Sequence, residues 1–180
     1  MKQALSGVAH MHGQRILHRK LGPTKVLVRF ETSGEPHTVI SGFSNACLDF
    51  DGETNVLPIN FVRWPPELLL GDVVFSVAAD IWALGWTFGQ LITMRPLWEG
   101  ATNKEVMQGI LRGLGSPRPE EIDILRGFPS FQTEVFEAVA TKKRLPRPLG
   151  FAWADLGGAS NEKVVSLMQS LLAVVPIRQA

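Results

Sequence analysis

The sequence has very little cysteine, almost no net charge and no leader-like apolar segment at its start. Its single cysteine, Cys47, excludes an internal disulfide framework and indicates a reducing, intracellular setting. The net charge is +1 and only 19% of the residues are charged, so neither nucleic acids nor membrane surfaces are expected partners. The first residues contain no continuous apolar core of signal-peptide length. We therefore expect a protein of the cytoplasm or nucleus that is not secreted.

The 180 residues are enough for one domain with a substantial core. Apolar residues at helical spacing predict four longer helices, and β-branched segments predict one small ribbon. The predicted helices cover residues 3–13, 77 to about 93, 103–114 and a final segment that Asn161 would cap, and the ribbon pairs residues 26–30 with 37–40. Residues 41–60 show no sustained period and are expected to form a long surface loop. The predicted fold is mainly α with a small β ribbon, an α+β fold.

One segment is long and apolar enough to raise the question of a membrane span. Residues 73–92 contain a single charge, Asp80, near their middle. A carboxylate at that depth costs about 2.5–3.5 kcal/mol on insertion scales, and no basic cluster flanks the segment to set an orientation. A helix that is apolar all round is equally typical of the centre of a globular domain. We therefore favour a buried helix and expect no membrane association.

Residues 16–28, which read ILHRKLGPTKVLV, resemble the catalytic loop of a eukaryotic protein kinase and the strand after it. The usual form of that loop is H-R-D-L-K-P-x-N. The matching residues are His18, Arg19, Leu21 and Pro23. The three positions that handle charge do not match. Lys20 stands at the catalytic Asp, Gly22 at the Lys and Lys25 at the Asn.

Further short motifs follow in the order of a kinase large lobe, most similar to the cyclin-dependent and related kinases. In chain order they are Gly42-Phe43-Ser44 at the D-F-G position, Pro65-Pro66-Glu67 at A-P-E, residues 80–85 at D-x-W-S-x-G, residues 96–100 at P-L-F-P-G, residues 114–117 at L-G-T/S-P and residues 174–178 at D-P-x-x-R. The resemblance covers essentially the whole chain. It implies one kinase-like domain over residues 1–180, a large lobe without the small lobe that carries the glycine-rich loop.

The substitutions remove the groups on which phosphoryl transfer depends in this family. A lysine at position 20 is a cation near neutral pH and has no lone pair to accept the proton of a substrate hydroxyl. Gly42 offers no side-chain oxygen to a magnesium ion, and Lys25 would repel one. We therefore expect no intact catalytic residue, no metal site and no binding of ATP with magnesium. An alternative places the metal ligand at Asp49, in Asp49-Phe50-Asp51-Gly52, but the spacing favours Gly42 and an acidic turn at Asp49.

The positions that the family uses for architecture are mostly kept. The resemblance implies that His18 and Phe43 join an apolar column, that Leu27 forms a floor under adenine, and that Asp80 binds amides of the loop. It also implies a pair between Glu67 and Arg178, and a phosphate clasp by Arg19. The position of the family's activating phosphothreonine holds Asn55, and Thr54, one residue before it, is a candidate phosphorylation site. Pro66, Trp82 and Gly85 complete the set of structural motif residues. For each residue taken alone, an ordinary core or surface position is the alternative, and for Thr54 an ordinary loop threonine.

A kept scaffold with lost chemistry predicts a pseudokinase that serves as a protein-interaction or regulatory scaffold. The expected partner is a protein, which would cover the face left by the small lobe. One alternative is a divergent serine/threonine kinase that transfers phosphate from ATP, and another is a truncated remnant without an independent role. Lys20 and Lys25 leave open the binding of an anion, such as a nucleotide without metal.

Overall fold

The computed structural model describes residues 1–30, 32, 34–49, 61–131, 135 and 162–174. Within them the helices are α1 (Lys2–Gly13), α2 (Pro66–Leu69), α3 (Val77–Thr93), α4 (Asn103–Leu114), α5 (Pro119–Leu125) and α6 (Glu162–Leu171). The strands are β1 (Ile16–Leu17), β2 (Val26–Phe30), β3 (Pro36–Ile40) and β4 (Cys47–Leu48). Single 3₁₀ turns cover Pro23–Lys25, Phe43–Asn45 and Phe61–Arg63. The predicted α+β fold with a small ribbon is confirmed, and the bounds of α3, α4 and β2 agree with the predicted ranges.

The strands form two short antiparallel ribbons. Strands β2 and β3 pair along their whole length, with Leu27 opposite Val39, and β1 pairs with β4, with Ile16 opposite Leu48. The prediction of an unbroken loop from residue 41 was wrong for residues 43–48, which form a 3₁₀ turn and β4. A two-residue strand has no periodic pattern to detect, because its pairing depends on a partner some 30 residues away along the chain.

Helix α1 packs on the β2–β3 ribbon. Its buried side chains Ala4, Val8 and Met11 meet Val26 and Ile40 from the inner face of the ribbon. The helix comes close at Gly7, where an added Cβ would lie 3.3 Å from Ile40 Cγ1. Outside this contact, the side-chain oxygen of Gln3 accepts a hydrogen bond of 2.7 Å from the Thr38 amide. Among the described residues, the ribbon is therefore held to the body of the protein mainly through the face that packs on α1.

Helix α3 lies between two hydrophobic clusters. Ala83 and Leu84 face the cluster around α1, while Trp82 and Trp86 belong to the larger cluster that α4 and α6 complete. Its 17 residues begin at Val77, so the first four residues of the apolar segment 73–92 precede the helix. No helix of the described ranges has the length and apolarity needed to cross a membrane. Asn161, the predicted cap of the last helix, lies outside the described residues.

A glycine sets the distance between α3 and α6. A Cβ on Gly85 would lie 2.8 Å from Leu171 Cβ and 3.0 Å from Leu172 Cδ2. Real Cβ atoms are almost never found this close to another side chain, and both leucines belong to the packed interior. The packing of α6 against α3 therefore requires glycine at position 85, the last position of the D-x-W-S-x-G-like motif.

We expect Gly85→Ala to lower the free energy of unfolding by about 1–3 kcal/mol, because α6 must move away from α3. Gly113→Ala is the matched control, since its added Cβ would lie 3.7 Å from Trp98 Cε3. A glycine-to-alanine change inside α4 should be neutral or stabilising by about 0.5–1 kcal/mol. Urea unfolding followed by tryptophan fluorescence measures both. Equal effects of the two substitutions would contradict the close approach at Gly85.

Candidate functional site

The loop after β1 is fixed by a carboxylate from α3. Asp80 is fully buried, and its Oδ2 accepts a hydrogen bond of 2.7 Å from the His18 amide. Its Oδ1 accepts one of 2.9 Å from the Arg19 amide. The His12 Nε2 of α1 lies 3.1 Å from Oδ2. Asp80 therefore joins α3, α1 and the loop, as the resemblance implied for the two amides.

Arg19 has a backbone conformation that explains why the loop needs this support. Its φ is +60°, in the left-handed region that residues other than glycine rarely adopt. Such a conformation costs about 1–3 kcal/mol and persists only when neighbouring contacts hold it. The hydrogen bonds from the His18 and Arg19 amides to Asp80 are contacts of this kind. The Arg19 side chain is also fixed, because its Nε donates to the Asn45 carbonyl at 2.7 Å.

His18 connects the loop to the segment after β3. Its ring is fully buried and lies 5.0 Å from the Phe43 ring, centroid to centroid, with the planes tilted by 50°. The His18 Nε2 donates to the Ser41 carbonyl at 2.9 Å, while Nδ1 accepts from the Lys20 amide at 3.3 Å. These two bonds agree with one neutral tautomer. The structure thus brings together His18 and Phe43, the two residues assigned to an apolar column.

Lys25 and Gly42, the positions of two metal ligands in the family, lie against each other. A Cβ on Gly42 would lie 2.6 Å from Lys25 Cδ and 2.9 Å from Lys25 Nζ. The lysine side chain therefore fills the space into which a carboxylate at position 42 would project. Gly42 has a φ of +81°, which a glycine adopts without strain. Asp49, the alternative metal ligand, lies beyond β4, where its amide donates to the Arg15 carbonyl at 2.7 Å.

These residues do not fit a magnesium ion. Magnesium requires oxygen ligands in an octahedral arrangement, and positions 25 and 42 supply an ammonium group and a hydrogen atom. Across the described ranges, no three His, Cys, Asp or Glu side chains lie close enough together to hold a metal. Lys25 and Gly42 therefore supply a positive charge and no side-chain oxygen at this site.

Arg63 has a role that the sequence did not indicate. A Cβ on Gly22 would lie 2.9 Å from Arg63 Cζ, so the guanidinium occupies the space of the missing lysine side chain of the loop. The same guanidinium lies 5.7 Å from the centre of the Trp86 ring, and burial lowers the pKa of Arg63 below its usual value. No spacing rule connects Gly22 to a residue 41 positions later, so only the fold shows this replacement.

Leu27, the residue assigned to an adenine floor, lies on the outer face of the ribbon. Its side chain is 52% exposed, and its cross-strand neighbour Val39 is 44% exposed. Phe30, at the end of β2, is 72% exposed. On the outer face, Leu27 and Val39 therefore form an apolar pair that the described residues leave uncovered, while Phe30 belongs to the opposite face of β2.

The remaining predicted residues belong to the core around α2 and α3. Pro66 and Glu67 are buried at the start of α2. The Trp82 ring lies 5.8 Å from the Trp98 ring, and the Trp98 Nε1 donates to the Val62 carbonyl at 2.8 Å. Arg178, the predicted partner of Glu67, and Thr54, the candidate phosphorylation site, lie outside the described residues.

We expect Asp80→Asn to lower the free energy of unfolding by about 2–4 kcal/mol. An amide of the same size would keep one accepting oxygen but turn its NH2 group toward the amide of either His18 or Arg19, and a buried donor without an acceptor is costly. Asp123→Asn is the control, because Asp123 is exposed and pairs only with Arg126 of its own turn. Its effect should stay within about 0.5 kcal/mol. Urea unfolding of both variants measures the difference, and a mild effect of Asp80→Asn would contradict the role of this carboxylate.

The chain is similar in sequence to curated protein kinases of the cyclin-dependent type. It is 28% identical to serine/threonine-protein kinase crk1 of Schizosaccharomyces pombe, over 99% of this chain and 50% of that protein. It is 32% identical to cyclin-dependent kinase 20 of Danio rerio, over 99% of this chain and 49% of that protein. It is 31% identical to serine/threonine-protein kinase SSN3 of Yarrowia lipolytica, over 98% of this chain and 45% of that protein. The chain thus spans about half the length of these relatives.

Solved structures show the same fold. The yeast RNA polymerase II CTD kinase CTDK-1 complex contains a chain that matches with a TM-score of 0.75 and 21% identity, over 97% of this chain and 55% of that one. The CAK complex from Chaetomium thermophilum bound to ATP-γ-S contains another, with a TM-score of 0.73 and 25% identity, over 96% and 51%. The sequence profile of the protein kinase domain matches residues 1–178. The structure agrees with this match, because the Asp80 carboxylate binds the amides of His18 and Arg19, and the Phe43 ring lies against the His18 ring. The match shows that the chain belongs to the protein kinase domain family, among relatives of the cyclin-dependent type.

Proposed function

We propose that this chain is a catalytically inactive protein kinase domain that works as a protein-interaction or regulatory module. The observation that carries the proposal is the contact between Lys25 and Gly42. Kinases use a carboxylate and an amide at these two positions to hold the magnesium ions that neutralise the phosphates of ATP. Here an ammonium group lies where the carboxylate would project. A metal ion would meet a positive charge and no oxygen ligand.

The catalytic loop supports the same proposal from a second direction. Lys20 stands where the family has the aspartate that accepts the proton of the substrate hydroxyl. Its backbone amide donates to His18 Nδ1, so the loop keeps an ordered course while the side chain carries the wrong charge. The loss of the base and the loss of the metal ligands are separate defects, and repair of one would leave the other.

The second candidate is a divergent serine/threonine kinase. It is favoured by the relatives, several of which are described as serine/threonine-protein kinases. An active enzyme would need a proton acceptor and a metal site made from residues other than Lys20, Lys25 and Gly42. A remnant without an independent role is a third candidate, and an exposed apolar face that no protein covers would favour it.

An intracellular protein partner is part of the proposal. On the outer face of the ribbon, Leu27 and Val39 expose two facing apolar side chains to solvent. Uncovered apolar patches of this kind mark interaction sites or aggregation hazards. Both solved structures described above are complexes, and this supports a protein partner for the chain. A single cysteine and small net charge suit the interior of a cell and give no reason to expect nucleic acid.

We expect the purified chain to transfer no phosphate from ATP to itself or to a generic kinase substrate. In a thermal-shift titration, ATP with magnesium should raise the melting temperature no more than ATP alone, since a ligand stabilises only by binding the native state. A variant with Gly42→Asp and Lys25→Asn returns two oxygen donors to these positions and should gain a magnesium-dependent shift. Phosphate transfer by the natural chain that disappears on Lys20→Ala would refute the proposal.

We expect the outer face of the ribbon to drive self-association of the isolated chain. Leu27→Lys combined with Val39→Glu removes its two facing apolar side chains and places opposite charges across the strands, which preserves the pairing. Sedimentation velocity should then show less self-association at equal concentration. Leu91→Lys is the control, because Leu91 is similarly exposed, at 48%, but lies at the solvent side of α3. An equal effect of Leu91→Lys would speak against a specific apolar face.

A further inference from the structure

A small pocket lies between the catalytic-like loop and the segment before α2. Its volume is about 20 Å³, and three of its lining residues are the cations Arg19, Lys20 and Arg63. The other lining side chains include Trp64 and Phe75, and none of the lining residues among the described ranges is acidic. The pocket therefore combines apolar walls with an excess of positive charge.

Two of the three cations have no counterion among the residues that the structure describes. Neither the Lys20 ammonium nor the Arg63 guanidinium makes an ion pair with any residue in the described parts of the chain. Arg63 is partly removed from water by its contacts with Gly22 and the Trp86 ring. A partly buried cation without a hydrogen-bonded anion is a costly arrangement, and an oxyanion that supplied the missing acceptors would relieve it.

The size of the pocket limits what can enter. A cavity of about 10–15 Å³ holds one water molecule, so about 20 Å³ admits one or two oxygen atoms. A purine ring or a whole nucleotide does not fit. One or two oxygens of a phosphate group can enter, and a guanidinium offers them two parallel N–H donors.

We propose that this pocket binds a phosphate oxyanion, held between Lys20 and Arg63. The proposal deepens the proposed function and rests on it, since Lys20 stands where an active kinase would act on a substrate hydroxyl. A side chain that already carries a phosphate would present its oxygens at the same point. The source of the oxyanion is then a phosphorylated serine or threonine of a peptide, or free phosphate, and the experiment distinguishes them.

Fluorescence anisotropy of a labelled, otherwise neutral peptide tests the site. The peptide with phosphoserine should bind at least tenfold more tightly than the same peptide with serine, and added sodium chloride should weaken that binding. Unlabelled inorganic phosphate, used as the competitor, measures the affinity for the free ion. Saturable binding of either probe supports the pocket, and the tighter probe identifies the source. Equal affinities for phosphoserine and serine peptides, with no competition by phosphate, would overturn it.

Substitutions locate the binding within the molecule. Lys20→Met should weaken the binding of the phosphoserine peptide about tenfold. Arg63→Lys should weaken this binding several-fold, because the two parallel N–H donors of the guanidinium are lost. Lys104→Met, which removes an exposed cation of α4 outside the pocket, should stay within about twofold. Binding that is unchanged in Lys20→Met, measured on protein with the natural melting temperature, would refute the assignment. The phosphate-transfer assay on the same preparation tests catalytic inactivity separately from peptide binding. A chain that transfers no phosphate and binds no phosphopeptide would refute only this inference and leave the proposed function standing.

Discussion

The hydrogen bonds accepted by the Asp80 carboxylate are the contacts on which the rest of the site depends. One fully buried side chain binds the amides of His18 and Arg19 and approaches His12, so it connects the central helix, the first helix and the loop. A carboxylate in that position is costly unless hydrogen bonds surround it, and these partners supply them. The left-handed conformation of Arg19 is stabilised by the same contacts. The loop can therefore keep its kinase-like course even though its chemical groups have changed.

The changed groups are accommodated in pairs. The Lys25 side chain lies in the space beside Gly42, and the Arg63 guanidinium lies in the space beside Gly22. In both pairs a glycine replaces a functional side chain of the family, and a cation from elsewhere fills the volume. Packing is preserved in this way, since a void of side-chain size would otherwise remain next to the loop. The result is a site with more positive charge than an active kinase has, which is the physical basis for expecting an oxyanion in place of a metal–nucleotide complex.

Much of the fold could be read from local patterns. The 3.6-residue period of α4, the long apolar segment of α3 and the β-branched residues of β2 are local patterns within one segment, so the predicted bounds of these elements agree with the structure. The motifs around His18, Phe43, Glu67 and Asp80 identify the family because each is short and contiguous. The two-residue strand β4 could not be predicted, because its stability comes from pairing with β1 and not from its own residues.

By itself the sequence determined that this is a kinase-like chain, and it predicted Lys20, Lys25 and Gly42 at the proton-accepting and metal-binding positions. It did so because residue identity at a motif position requires no knowledge of distance. Only the tertiary structure decided where the new charges lie. It places Lys25 over Gly42 and Arg63 over Gly22, and it leaves Leu27 and Val39 exposed on the outer face of the ribbon. The two residues of the first contact are 17 positions apart in sequence, and those of the second are 41 positions apart. Such contacts depend on how the elements pack, and a linear pattern does not contain that information.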